Sequence, residues 1–258
     1  MIRVAFFFFL FLLSACAFTP LPKTLPSDHP PRLGIIGFKV TAPIHHLSSI
    51  AQMPKNLNSE QEPILLNEAL RHVEDQATTF LEAALISEKT VEPLVVPEGL
   101  FGTWRGERPT PSQIDLLRKE LGVDAILYGE IPWYGRTQLI YPILGESLDI
   151  AAESMALGLV TDWNPVAIFA NVGFELLTST PLWFGGYYLF DWALRPVTVE
   201  AWVISTADGR QIWHKSVDRI LSRSILKSYP ESERSKKEIQ LEASLRKAIE
   251  ALARSLSK

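Results

Sequence analysis

The sequence has little of the chemistry that marks a disulfide-stabilised protein or a familiar enzyme. One cysteine in 258 residues excludes a disulfide framework and any zinc site built on paired cysteines. No P-loop, dinucleotide-binding, serine-hydrolase or zinc-protease motif is present. The formal net charge of −4 lacks the basic excess that nucleic-acid binding requires. Hydrophobic residues make up 47% of the chain, which excludes wholesale disorder.

The few residues suited to catalysis or metal binding are scattered. His45 and His46 are adjacent in a polar loop, and adjacent histidines rarely point at one metal ion. Glu130 and Glu200 fall in separate predicted strands, so a paired-carboxylate site is conceivable, but nothing in the sequence brings the two together. His214 is expected on the solvent face of a strand. We therefore predict no enzyme, no metal and no cofactor, and an envelope hydrolase stays open as an alternative.

The N-terminus carries a targeting signal that must be set aside before the fold is considered. Arg3 precedes a ten-residue apolar run at 4–13, too short to cross a bilayer, and the run leads into Leu13-Ser14-Ala15-Cys16. This end resembles the bacterial lipobox, in which the cysteine becomes the acylated mature N-terminus. The resemblance implies a signal peptide at 1–15 and a lipid anchor, palmitate among its acyl chains, on Cys16. An ordinary signal peptide cleaved after Ala15 or Ala17 is the alternative.

The location follows from the same resemblance. Ala17, rather than an aspartate, comes after the cysteine, which favours the periplasmic face of the outer membrane. The absence of any other cysteine suits an oxidising periplasm. Residues 16–32 include five prolines and show no apolar period, so this segment is predicted to be a linker between lipid and domain.

The rest of the chain outside 139–195 alternates strand and helix patterns. Strands are predicted at 33–40, 91–96 and 124–131, with helices at 64–86 and from about residue 111 to a stop at Gly122. Either Ser112 with Asp115, or Thr110 with Pro111, opens the second helix. Asp208-Gly209 between two β-rich runs predicts a hairpin, and 235–256 a final amphipathic helix. The pattern predicts an α/β fold, a mixed sheet with helices on its faces, over 33–138 and 196–258.

Two segments carry a family likeness. The run from Leu121 to Ile131, LGVDAILYGEI, and the hairpin from Glu200 to Trp213, with Gly209 in its turn, resemble segments of a superfamily of periplasmic lipoprotein domains. Its members include the curli secretion lipoprotein, the activator lipoproteins of peptidoglycan synthases and the N-terminal domain of TolB. The resemblance implies a non-enzymatic domain that binds protein partners. The amphipathic strands of the pore-forming relatives are not visible here.

In their place the chain has an apolar insert at 139–195 whose only basic residue is Arg195. Three helices are predicted, at 147–159, from the N-cap Asn164 to about 177, and from Thr180 with Pro181 to near 196. The insert is interpreted either as a hydrophobic element that contacts the membrane or a partner, or as a helical subdomain packed on the sheet or on a copy of itself. The residues predicted to make a membrane or partner contact are Phe169, Phe174, Trp183, Phe184, Tyr187, Tyr188 and Trp192.

The sequence as a whole predicts an outer-membrane-anchored periplasmic lipoprotein that acts as a protein-binding or envelope-assembly module. Its partners would be the membrane, through Cys16, and envelope proteins or further copies of itself, through the insert. A subunit of an oligomeric secretion or export assembly is the nearest alternative.

Overall fold

The computed structural model describes residues 30–52, 58–100, 106–135, 140–185 and 195–257, with the backbone alone at 98, 140–142 and 181–185. The elements are, in chain order, β1 (Arg32–Val40), α1 (Glu62–Glu88), β2 (Glu92–Val95), α2 (Pro111–Leu121), β3 (Ala125–Tyr134), α3 (Ile140–Val160), α4 (Pro165–Gly185), β4 (Val197–Ser205), β5 (Gln211–Arg219), α5 (Arg223–Leu226) and α6 (Lys237–Leu256). Short 3-10 turns lie at Leu47–Ser49, Glu98–Leu100 and Glu231–Glu233.

The five strands form one mixed sheet in the order β2-β1-β3-β4-β5, which confirms the predicted fold class. β1 pairs in parallel with β2 and β3, because α1 and α2 carry the chain back between these strands. β4 runs antiparallel to β3, and β5 antiparallel to β4. The β4–β5 turn lies at the predicted Asp208-Gly209, where Gly209 adopts a φ of 68° that glycine tolerates at little cost.

α1 and α6 cover one face of the sheet and build the main core. Their apolar stripes bury Leu81 and Leu85 from α1, and Leu245 and Ile249 from α6, against the strands. Near the start of β3, α2 covers part of the other face through Ile114 and Leu117. Beyond α2, that second face carries polar side chains.

The hydrogen bonds at the start of α2 decide between the two starts predicted for this helix. Thr110 is the N-cap: its hydroxyl accepts from the Gln113 backbone N–H at 3.4 Å, and the Gln113 side chain accepts from the Thr110 N–H at 2.8 Å. This is a complete capping box with Pro111 at the first helical position. Gly122 ends the helix with a φ of 61°, as predicted.

The predicted break between the second and third helices of the insert, before Thr180, is wrong, and residues 186–194 of the predicted third helix lie outside the described residues. Two 21-residue helices occupy the described part, and α4 continues through Thr180 and Pro181 to Gly185. The predicted boundary treated Thr180 as an N-cap. Its hydroxyl instead donates to the Glu146 carboxylate of α3, so it holds the two helices together rather than starting a new one. The proline then sits inside a helix, where it removes one backbone hydrogen bond.

Candidate functional site

The most distinctive surface belongs to α3, α4 and the turn between them, residues 140–185, which we call the helical hairpin. The hairpin leaves the domain at the end of β3 and returns at the start of β4. Its root is closed by a backbone hydrogen bond of 2.8 Å from the Gly135 N–H to the Pro196 carbonyl. Among the elements the structure describes, α3 and α4 pack extensively only on each other. The alternative of a subdomain packed on the sheet is therefore not seen in the described residues.

The outer surface of the hairpin is apolar. Sixteen large hydrophobic side chains are exposed in the described part of the chain, and twelve belong to the hairpin. The twelve are Ile143, Leu144, Leu148, Met155, Leu159, Val160, Trp163, Val166, Phe169, Phe174, Leu176 and Leu177. At about 100 Å² of exposed surface each, they present about 1,200 Å² over the two helices and the turn, whereas the largest patch on a typical monomer has about 300–600 Å². A patch of this size marks a contact surface.

The inner surface of the hairpin is polar and acidic. Glu146 of α3 and Glu175 of α4 are both buried between the helices. Glu146 accepts from Thr180, and Glu175 accepts from Ser179 one turn further along its own helix. The Asn171 amide lies 3.5 Å from the Ser154 hydroxyl and adds a link across the pair. The hairpin thus reverses the usual distribution, with polar groups inside and apolar groups outside.

Two carboxyl groups of the hairpin, Glu153 and Glu175, influence each other's pKa. The hydrogen bond from Glu153 to Glu175, together with the negative charge of Glu175, raises the pKa of Glu153. Hydrogen bonds donated by Ser179 and by Glu153 lower the pKa of Glu175. Of the two carboxyl groups, Glu175 therefore ionises more readily than Glu153. No lysine or arginine occurs between residues 140 and 185 to neutralise the charge of Glu175.

The turn at the end of the hairpin is tightly built. Asp162 and Trp163 both adopt positive φ values, 53° and 59°, which few residues other than glycine tolerate. The Trp163 N–H donates to the Gly158 carbonyl at 2.7 Å, and its indole covers Gly158 so closely that an added Cβ there would lie 2.8 Å from the ring. The Asn164 side chain accepts from the Val166 N–H at 3.0 Å, as expected of the predicted N-cap.

The structure places the predicted contact residues unevenly. Phe169 and Phe174 are 76% and 61% exposed on the outer face of α4. The backbone of Trp183 and Phe184 lies in α4, but their side chains fall outside the described residues, as do Tyr187, Tyr188, Trp192 and Cys16 altogether.

Sequence reasoning missed the apolar outer face of α3, from Leu144 to Val160. A signal for it exists, because Glu146, Asp149 and Glu153 recur at helical spacing and so mark one polar side of α3. The opposite side of the helix is consequently apolar.

The open part of the second sheet face gathers the residues considered for catalysis. Glu130 and Glu200 are register partners on β3 and β4, which the sequence alone did not establish. His214 is exposed, as predicted, and its Nε2 lies 2.6 Å from Glu200 Oε1. Its ring stacks on Trp202, which stacks on Tyr128, with centroids 5.2 Å and 5.4 Å apart. This row is cross-strand packing reinforced by the contact between His214 and Glu200.

The loop histidines lie apart from this face. His46 Nδ1 is 3.5 Å from Glu62 Oε1, where it sits near the start of α1. Across the described ranges, no three histidine, cysteine, aspartate or glutamate side chains come together as metal ligands would. None of the helices described combines the length and the hydropathy needed to cross a membrane.

Comparison with known proteins yields structural likeness only. No family model and no curated protein sequence matches the chain. Two PelC dodecamer structures from Paraburkholderia phytofirmans, one with a single substitution, are similar in arrangement. The substituted PelC shares 7% identity with this chain at a TM-score of 0.39, and the match covers 88% of this chain and 89% of that one. The other PelC shares 9% identity at a TM-score of 0.38, and the match covers 93% of this chain and 94% of that one. Lipoprotein GNA1162 from Neisseria meningitidis shares 13% identity at a TM-score of 0.30, covering 74% of this chain and 84% of that one.

Likeness of this degree does not identify a shared function or assembly. The membership of the superfamily that includes the curli secretion lipoprotein and TolB stays a prediction, as does the division of the chain into linker, domain and insert.

Proposed function

We propose that the chain is a non-enzymatic lipoprotein of the bacterial envelope. Acylated Cys16 holds it at the periplasmic face of the outer membrane, and the helical hairpin is the surface through which it assembles with other envelope components. The observation that carries this proposal is the apolar outside of the hairpin, which nothing else in the described chain covers. Leaving about 1,200 Å² of such surface in water is unfavourable, at about 25 cal/mol per Å².

The anchor is tested on the full-length chain in a bacterial host. We expect mass spectrometry to find acyl groups on Cys16, and Cys16→Ala to move the protein from the outer-membrane fraction to the soluble periplasm. A Cys16→Ala protein that stays in the outer membrane, or a mature N-terminus at Phe18, would reject the lipid anchor.

The role of the hairpin as a contact surface is tested by removing the hairpin at its root. Since Gly135 and Pro196 are hydrogen-bonded, a short Gly-Ser segment can replace residues 139–194 without opening the sheet. We expect the lipid-anchored full-length chain to sediment with a larger assembly in solubilised envelopes, and the hairpin-less chain to sediment as a monomer. Identical sedimentation of the two chains would contradict the proposal.

An export-assembly subunit is the second candidate, because the hairpin exposes apolar surface on the outer sides of both α3 and α4. A subunit flanked by two neighbours would bury both sides, as in a closed ring. Light scattering on purified residues 17–258 separates this candidate from a monomeric binding module, since it reports a discrete oligomer in one case and a single chain in the other.

The absence of enzymatic activity is also a proposal, and the Glu200–His214 pair is the place to test it. We expect Glu200→Gln and His214→Ala to leave the cellular phenotype of the protein intact. A loss of phenotype with unchanged folding and abundance would favour the envelope hydrolase.

A further inference from the structure

Apolar side chains on both sides of the turn of the helical hairpin are exposed, and Val160 beside the turn is the most exposed of those on the described hairpin. Along α3, exposure rises from 45% at Ile143 to 85% at Val160. α4 begins with Val166 at 75% and Phe169 at 76%. Between them lies Trp163, 56% exposed, held by its left-handed backbone. We call Leu159, Val160, Trp163, Val166 and Phe169 the tip. Because the tip is the part furthest from the root, it is what another surface meets first.

The apolar surface faces two opposite directions. On α3, Leu148, Met155 and Leu159 follow one helical stripe, and on α4 Val166, Phe169 and Leu177 follow another, while the polar seam lies between the helices. A single partner in a two-fold dimer covers one direction only. A lipid phase surrounds an inserted element and covers both.

The polar side chains between the two helices are paired as an apolar environment demands, whereas Asp162 in the turn is exposed. Glu146, Glu175, Ser179 and Thr180 are hydrogen-bonded within the hairpin. The Thr178 hydroxyl donates to the Phe174 carbonyl at 2.9 Å. Groups that enter lipid must find their partners internally, because no water is available there. The absence of any lysine or arginine at 140–185 means that burial of apolar surface, not attraction to anionic headgroups, would drive the contact.

The linker is long enough to bring the lipid anchor to the root of the hairpin. Fifteen residues, 17–31, separate Cys16 from β1, and they reach about 50 Å when extended. β1 and β3 run in parallel, so the linker joins the domain at the end of the sheet opposite the hairpin root. The ten residues of β3 span about 33 Å between those ends. The linker is therefore long enough to run back along the sheet to the root.

We propose that the tip of the helical hairpin inserts into the lipid surface that carries the Cys16 anchor, as a second membrane contact that fixes the orientation of the domain. This inference rests on the proposed function, because it takes the hairpin as the contact element and Cys16 as the lipid attachment. It adds what covers the tip, which is lipid, and it leaves the apolar faces nearer the root, at Leu148 and Leu177, to the envelope components.

The experiment uses residues 17–258, which keep every described helix and strand but lack the anchor. Vesicles of phosphatidylcholine, with and without phosphatidylglycerol, are the probe in a flotation assay. The tip variant is Val160→Asp with Val166→Asp. The matched control is Leu148→Asp with Leu177→Asp, which are similarly exposed at 60% and 79% but about 18 Å further from the turn.

We expect the unmodified chain to float with both kinds of vesicle and the tip variant to lose at least about tenfold in partitioning. The control should stay within about threefold. Phosphatidylglycerol should not increase binding. Trp163→Phe provides a conservative check: bromine-labelled lipid should quench less of the tryptophan fluorescence in this variant than in the unmodified chain. Circular dichroism and the melting temperature show whether each variant is folded.

Three results would overturn the inference. Equal loss of flotation in the tip variant and the control would remove the role of the tip, and undiminished quenching in Trp163→Phe would place the indole outside the lipid. The third is no flotation together with an oligomer that dissociates when residues 139–194 are replaced. In that case a second copy covers the hairpin, and the proposed function stands. If the replacement changes neither flotation nor assembly, the proposed function fails as well.

Discussion

Gly135 and Pro196 are joined by a backbone hydrogen bond of 2.8 Å across the two points where the chain leaves and re-enters the sheet. The bond continues the antiparallel pairing of β3 and β4 by one further link. The 60 residues between them are therefore an insertion into a sheet whose strands β3 and β4 are already paired at this junction. Gly135 adopts a φ of 77°, and a Cβ there would meet the Leu241 side chain at 3.2 Å, so glycine is the residue that fits this junction.

The first prediction concerns the independence of the domain from the hairpin. We expect replacement of residues 139–194 by a short Gly-Ser segment to leave the denaturant unfolding of the domain within about 1 kcal/mol of the unmodified chain. The reason is that the core under α1 and α6 contains no hairpin residue. Urea unfolding followed by far-ultraviolet circular dichroism measures it. A larger loss would mean that the hairpin helps to hold the sheet together.

The second prediction compares two glycines. At Gly129 an added Cβ would clash with the ring of Phe38, which is fully buried, and would lie 2.9 Å from the Glu200 carbonyl. Gly129→Ala should therefore destabilise the domain by about 1–3 kcal/mol. At Gly173, inside α4, nothing lies within 4 Å of an added Cβ.

Gly173→Ala should accordingly stabilise α4 by up to about 1 kcal/mol, since alanine is the better helix former. The two measurements are the urea midpoint of the domain for the first variant and the helical circular dichroism of the chain for the second. A neutral Gly129→Ala would show that Phe38 moves aside at no cost.

The sequence was most informative where local chemistry and burial agree. β1 and β3 contain long apolar runs, Gly122 marks the end of α2, and Asp208-Gly209 marks the β4–β5 turn, so those elements could be predicted within a few residues. The pairing of Glu130 with Glu200 could not be, because it depends on the register between strands far apart in sequence.

The hairpin was predicted only in part. Its hydrophobicity was evident, but Thr180-Pro181 has the local appearance of a helix start. What overrides that signal is a tertiary contact, the hydrogen bond from Thr180 to Glu146, 34 residues away. The separation of acidic and apolar residues onto opposite sides of α3 also becomes meaningful only once α4 is known to pack on the acidic side.

The third prediction tests the start of α2. Thr110 satisfies the Gln113 N–H, whereas the Ser112 hydroxyl contacts only the Thr110 hydroxyl, at 3.1 Å. Thr110→Ala should lower the free energy of unfolding by about 1 kcal/mol, and Ser112→Ala should change it by less than about 0.5 kcal/mol. Chemical denaturation measures the free energy of unfolding of both variants. An equal decrease in the two would show that both hydroxyls cap the helix.

The fourth prediction concerns alkaline pH. Tyr229 lies against α6, where its hydroxyl donates to Glu242 at 2.9 Å. Burial, and next the hydrogen bond and negative charge of Glu242, raise the pKa of Tyr229 to about 12. An unfolded tyrosine titrates near 10. The folded state thus favours the neutral phenol, so this contribution to stability is complete below about pH 10 and is lost as pH rises towards about 12.

Urea unfolding at a series of pH values measures the effect. The series runs from about one unit below the unfolded tyrosine pKa of about 10 up to the folded pKa of about 12. We expect the midpoint to fall across this range, and Tyr229→Phe to make the fall shallower because the titrating hydroxyl is gone. Burial also raises the pKa of Tyr134, which remains in the variant, so part of the fall persists. Equal slopes for the two proteins would mean that Tyr229 ionises as readily in the folded chain as in the unfolded one.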